Sequence, residues 1–178
     1  MMTNPVYIRV AEPTDNALLA ELGARTFFDT FARDNTPEDI AAYLAASFSP
    51  PLQADELADP LTTFLIAEID SAAAGYARLR LNPPPTVITG RQPLEIARFY
   101  SDKAWIGRGV GAALMSACLD FAAQQDCDTI WLDVWERNAR AIAFYQKWGF
   151  AVVGTQSFQL GSDLQNDLLM QRTVRDER

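Results

Sequence analysis

Histidine is absent from all 178 residues of this chain. That removes the commonest general base near neutral pH, the commonest metal ligand and every Ser-His or Cys-His nucleophile system. Proton transfer must therefore use carboxylates, Tyr, Lys, Cys or water, and no metal site is expected. Cysteine is scarce. Cys118 and Cys127 stand alone, with no zinc spacing and no disulfide framework, which fits a reducing cytoplasm. No apolar run reaches transmembrane length and residues 1–10 carry no signal-peptide pattern, so neither membrane insertion nor export is expected. Positive charge is also in the minority: 15 Lys and Arg against 23 Asp and Glu leave a formal net charge of −8. Such a surface repels nucleic acid and anionic membrane and attracts a cationic small molecule, although acidity also serves solubility alone.

What is present suits a globular chain. Hydrophobic residues make up 49% and charged residues 21%, enough apolar material for one domain over 1–178 with a sizeable core. Apolar alternation and turn residues predict strands over 6–10, 61–69, 75–81, 94–101, 129–135, 150–160 and 164–172. The turn between the second and third strands centres on Asp70-Ser71. Helical spacing and capping residues predict helices from Glu12-Pro13-Thr14-Asp15 through Phe31, from Thr36 to Ser49, a short piece to about Ala58, then 109–125 and 139–148. Residues 82–92, with Pro83-Pro84-Pro85 and Gly90, read as an exposed loop. The order predicts the α/β (α+β) class: a mixed sheet with helices on its faces.

The most informative segment runs from Ile96 to Phe150. Its turn, Ile106-Gly107-Arg108-Gly109-Val110-Gly111, holds three glycines in five residues between a strand and a long helix. Glycines let a ligand approach the backbone, and the helix start offers unpaired N–H groups and a positive dipole end, a combination that binds phosphate. Arg108 adds a charge. The dinucleotide fingerprint fails, because Leu114 stands where the third glycine belongs, and no Gly-Lys-Ser/Thr makes a P-loop. Downstream, Asn138 precedes a helix that Gly149 ends, and Tyr145 lies seven residues after Asn138. A helix drifts only about 20° over that interval, so both project from nearly one face. Two readings stay open for each: a cap or a ligand contact for Asn138, a core aromatic or a catalytic phenol for Tyr145.

These residues resemble the acetyl-CoA-binding core of the GCN5-related N-acetyltransferases (GNAT), which place Q/R-x-x-G-x-G/A after the fourth strand and follow it with an Asn, a Tyr two turns on and a Gly-Phe. Ile106 departs from the Gln/Arg preference, and Ala97 stands where relatives often carry an acid. Thr26-Phe27, Thr30-Phe31, Asn35, Pro37-Glu38, Tyr43, the stretch Ile130-Trp131-Leu132-Asp133-Val134-Trp135-Glu136, Ser157-Phe158, Gln165 and Asp167-Leu168 extend the resemblance to the bacterial PaiA-type polyamine acetyltransferases.

The resemblance implies a mostly antiparallel sheet with one splayed parallel pair and helices on both faces. It also implies an acetyl-CoA-dependent N-acetyltransferase, an acyltransferase working without metal by direct attack of an amine, a polyamine first. A protein or peptide N-acetyltransferase and a non-catalytic acetyl-CoA-binding module are the alternatives. The implied cosubstrate site comprises Phe99, Tyr100, Ser101, Ile106, Gly107, Arg108, Gly109, Val110, Gly111, Ala112, Asn138 and Tyr145. Ser101 would polarise the thioester carbonyl through its N–H, Tyr145 would protonate the leaving thiolate, and Glu95 or Asp133, with Glu136 as a further choice, would act as base. Phe27, Phe28, Phe31 and Tyr43 are candidates for the acceptor wall, and the protein would be a monomer or homodimer.

Overall fold

A computed structural model describes residues 4–175. One seven-stranded sheet, in the order β1-β2-β3-β4-β5-β7-β6, runs through it. Its strands are β1 (Tyr7–Val10), β2 (Thr62–Ile69), β3 (Ala72–Arg80), β4 (Pro93–Ser101), β5 (Thr129–Trp135), β6 (Ala151–Leu160) and β7 (Asp163–Thr173). Every neighbouring pair is antiparallel except β4–β5. The helices are α1 (Asn16–Phe31), α2 (Pro37–Ser47), α3 (Pro50–Ala58), α4 (Val110–Gln124) and α5 (Ala139–Lys147). The mixed class and mostly antiparallel sheet expected from the sequence are present.

The alternation of β2 shows how the layers form. Phe64 and Ile66 pack with Leu19 and Leu22 of α1, while Leu65 and Ala67 join the larger cluster with Leu114, Met115 and Cys118 of α4. Successive side chains point to opposite faces, so a continuous apolar strand marks a sheet covered on both sides. Burial also pushes the Cys118 thiol up to about 12, which leaves it an inert core residue.

Local signals set the element ends. Thr36 caps α2 by accepting the Asp39 N–H at 3.2 Å, and Ser49 caps α3 by accepting the Leu52 N–H at 3.4 Å. Two boundaries differ from expectation. The first turn expected of α1 is instead a separate 3-10 turn, Pro13–Asp15, in which Asp15 accepts the Glu12 N–H at 2.7 Å. The third strand begins at Ala72 rather than residue 75, because Asp70 and Ser71 both take positive φ (51° and 66°) and make a two-residue hairpin. Alanines carry little strand signal of their own, so register and not propensity decides that start.

Candidate active site

The site begins where β4 and β5 part. They pair in parallel from Pro93↔Thr129 only as far as Ile96↔Leu132. On its other edge β4 skips Ala97, pairing Ile96 with Leu79 and Arg98 with Arg78. An unpaired extra residue of this kind bends a strand, and here the bend falls where the gap opens. β5 meanwhile follows β7 without interruption.

Beyond the bend, Asp102 donates its N–H to the Ala74 carbonyl on β3 at 2.8 Å. Alternation along β4 then turns the N–H groups of Ser101 and Phe99 away from β3 and into the gap, while that of Tyr100 faces β3. Of the three residues read as holding the acetyl end, Phe99 and Ser101 offer main-chain donors there and Tyr100 offers none.

The glycine turn closes one end of the gap. Asp102 accepts the Ala104 N–H at 3.0 Å and caps a short turn, Lys103–Trp105. Gly107 and Gly109 follow with φ of 82° and 83°, a region costing a residue with a side chain about 1–2 kcal/mol. A Cβ at either would meet nothing within 4 Å. None of the described residues therefore fills the space beside them. Gly109 is the N-cap of α4, and the first bond into the helix runs from the Ala113 N–H to the Gly109 carbonyl at 3.0 Å. The N–H groups of Val110, Gly111 and Ala112 thus start the helix without acceptors in the preceding turn. Gly111 serves a different end: a Cβ there would stand 3.4 Å from the Phe144 ring of α5. Arg108 lies over the Trp105 ring at 5.4 Å, and Ile106 is 44% exposed.

α5 supplies the opposite wall. Asn138 accepts the Ala141 N–H at 3.2 Å, so it does cap the helix, and its side chain also borders the gap. Tyr145 is only 7% exposed and is held by edge-on rings of Phe99, Phe144 and Phe150. Its hydroxyl has no hydrogen-bond partner among the described residues, and its side chain lines the same cavity. Burial raises its pKa, so the phenol keeps its proton through the neutral range.

The cavity has a volume of about 790 Å³ and runs from the glycine turn past Tyr145 to a lobe between α1, α2 and the β5–β7 ladder. Phe27, Phe31, Tyr43, Trp135 and Phe158 form the aromatic part of this lobe, with Phe27 and Tyr43 stacked at 4.3 Å. Phe28 does not belong to it; it is 51% exposed, one position round the helix. Asp133 and Asp167 form the acidic part. Asp167 is 5% exposed, lies close to Asp133, and its Oδ1 has no hydrogen-bond partner among the described residues. Burial first, then the neighbouring Asp133, raise its pKa well above the ordinary carboxylate range. Arg98 of β4 also borders the lobe, held by Glu56 of α3 through bonds of 2.7 and 3.0 Å.

The sequence model of the acetyltransferase (GNAT) family matches residues 24–150, the stretch that contains the splayed strands, the glycine turn and α5. The chain belongs to this family. It is a GNAT N-acetyltransferase, and its relatives agree. It is 31% identical over 173 residues to an uncharacterised N-acetyltransferase of Lactobacillus delbrueckii subsp. lactis, covering 97% of this chain and 99% of that one. A spermine/spermidine N(1)-acetyltransferase of Bacillus subtilis is 34% identical over 62 residues, 34% of this chain and 41% of that one. The crystal structure of a PaiA N-acetyltransferase from Thermoplasma acidophilum, in complex with coenzyme A, superposes with a TM-score of 0.76 at 20% identity, covering 95% and 99% of the two chains, and so shares the fold.

Within this acetyltransferase the structure brings Ser101, the glycine turn without Arg108, Asn138, Tyr145 and Asp133 to one cavity; Arg108 turns aside onto the Trp105 ring. Glu95 lies outside it. Glu95 sits where β4 and β5 are still paired, opposite Trp131, and is 5% exposed. Arg80 grips both its oxygens at 2.8 and 2.9 Å. Burial raises its pKa against that ion pair. Glu136 likewise does not line the cavity. Sequence reasoning did not place Asp167 in the site. The sequence named it only as part of the resemblance, and what brings it to the site is the antiparallel register of β5 with β7.

Proposed function

We propose that this acetyltransferase moves the acetyl group of acetyl-CoA to a primary amine of a small molecule, a polyamine first, by direct attack in a ternary complex. One observation carries this reading: a single cavity joins a helix N-terminus with open space beside two positive-φ glycines to an acidic, aromatic lobe, with a buried phenol between them.

Acetyl-CoA is a consumed substrate, supplying an acetyl group already activated as a thioester. The residues present fit it. The N–H groups of residues 110–112 and the dipole of α4 suit its diphosphate. The splayed edges of β4 and β5 leave main-chain donors and acceptors for an extended amide-bearing arm. The Ser101 N–H stands at the gap as the donor to the thioester oxygen; one such donor is worth about 3 kcal/mol of transition-state stabilisation. Tyr145 gives its proton to the departing sulfur: burial that raises the phenol's pKa also makes a bare thiolate in the same dry site more basic, so the two stay matched. Asp133, on the opposite wall, takes a proton from the incoming ammonium.

The lobe supports this choice of acceptor. Carboxylates bordered by aromatic rings favour an extended cation, through charge and cation–π attraction. The partial match to a spermine/spermidine acetyltransferase points the same way. A panel of amines in a thiol-release assay tests the reading: spermidine and spermine should give the highest kcat/KM. Release that depends on peptide N-termini would move the assignment to a protein acetyltransferase, and no release with intact coenzyme A binding would make the chain a binding module.

A further inference from the structure

We propose that Asp167 forms with Asp133 a proton-sharing carboxylate pair, and that this pair, rather than a lone Asp133, is the base that readies the amine. The inference rests on the acetyl-transfer reading above and adds a residue to it.

Strand register makes the pair. Asp133 stands opposite Leu169, and Trp135 opposite Asp167, on the antiparallel β5–β7 ladder. Residues two apart share a face, so Asp133 and Asp167 are diagonal neighbours on the side facing α1 and α2. Both line the acceptor lobe. Neither makes an ion pair among the described residues, in contrast to Glu95, Glu56 and Asp102, each of which an Arg holds. A buried carboxyl group and a half-buried one beside it, with no cation of their own among the described residues, cannot both ionise cheaply, so the last shared proton leaves only well above the ordinary carboxylate range.

The other titratable and charged groups around the pair do not replace that missing cation. Tyr43 faces it from α2 and is itself raised by burial. Tyr145 of α5 lines the same cavity as Asp133, while Glu95 and Glu136, outside it, add only further negative charge. Arg98 borders the lobe but is engaged by Glu56. Arg33, Asp34, Asp29, Lys103 and Arg140 of α5 also line the cavity, Asp29 and Lys103 paired with each other at 3.0 Å, and none of them makes an ion pair with Asp133 or Asp167 among the described residues.

The arrangement solves a mismatch. An ordinary carboxylate, at about 4, is some six pH units too weak to deprotonate an alkylammonium near ~10. A carboxyl pair titrates in two steps, and its second proton is held far more tightly than that of a lone carboxylate. The doubly ionised pair therefore takes one proton from R–NH3+ and becomes singly charged. The freed amine forms the N–C bond to the acetyl carbon as the C–S bond breaks. Sulfur takes the Tyr145 proton, and the second nitrogen proton restores the phenol. The pair then releases its proton to solvent, so one ammonium and one thioester give one amide, one thiol and one proton. A docked ammonium also stabilises the doubly ionised form, which couples acceptor binding to base formation.

Asp167 acts through Asp133, as a positioning residue, and the test uses a pH profile. In the wild-type enzyme, log kcat/KM for spermidine should rise with an inflection above the ordinary carboxylate range. Asp167→Asn should move that inflection down by at least one pH unit and lower the plateau at least tenfold, while Asp167→Glu retains it. A purely structural role would lower the plateau without moving the inflection. Independently of activity, carbon-13 NMR of aspartate-labelled enzyme without substrate should show one carboxyl titrating above the ordinary range. That high titration should move down by at least one pH unit in Asp133→Asn, burial alone holding the remainder, and this variant serves if Asp167→Asn does not fold. An unmoved inflection in active Asp167→Asn, or only ordinary titrations in the wild type, overturns the pair. Absence of amine-dependent thiol release from the wild type sinks instead the functional reading, and the NMR titration still decides the pair.

Discussion

Replacing Tyr145 by Phe separates chemistry from architecture. The ring is wedged among Phe99, Phe144 and Phe150 at centroid distances of 6.0, 5.6 and 5.8 Å, and Phe retains all three. The hydroxyl has no partner to leave unpaired, so deleting it should change stability by no more than about 0.5 kcal/mol. In a chain of this size that is about 1–2 °C in Tm. If the hydroxyl gives its proton to sulfur, turnover loses the contribution of a positioned general acid, about 10²- to 10⁴-fold. At 1.36 kcal/mol per tenfold this is about 3–5 kcal/mol of barrier. Because burial raises the phenol's pKa, the loss should persist across the neutral range and not be recovered by lowering pH. Thiol release at saturating spermidine gives kcat, and calorimetry gives coenzyme A affinity, which should stay within about twofold. Turnover within threefold of the wild type would remove Tyr145 from proton transfer. A Tm drop of several degrees would show that the hydroxyl has a structural role the geometry does not reveal.

Two other substitutions probe the site from outside that step. Gly109→Val places a β-branched residue at a φ of 83° and fills open space at the start of α4. It should abolish coenzyme A binding in a calorimetric titration while the protein still folds with a lowered Tm; intact binding would refute the diphosphate site. Glu95→Gln should leave the kcat of the folded enzyme within threefold but lower Tm. It weakens a half-buried ion pair with Arg80, and because that guanidinium is 33% exposed and can turn to water, the cost should be about 1–3 kcal/mol. A hundredfold fall in kcat with unchanged Tm would return Glu95 to the chemistry.

The sequence by itself determined the parts that local chemistry controls. Positive φ at Gly107 and Gly109, the cap at Asn138, the caps at Thr36 and Ser49 and the order of strands and helices each depend on a few adjacent residues. The same holds for the shared face of Asn138 and Tyr145, which helical periodicity sets. Tertiary structure decided which carboxylates meet. Glu95 and Asp133 look alike as acidic residues in apolar strands, yet one faces Arg80 below the point of splay and the other borders the cavity above it. Asp167 reaches Asp133 only through the β5–β7 register, and Phe27 lines the lobe while Phe28 faces outward. The bend at Ala97 that opens the gap is likewise a matter of how β4 pairs with β3. Register and strand pairing are fixed by the sum of many long-range contacts, and a one-residue slip would exchange the two faces of a strand. No local pattern encodes that choice, so the glycine turn and the α5 wall of the cavity were legible in the sequence and the residues of its lobe had to wait for the fold.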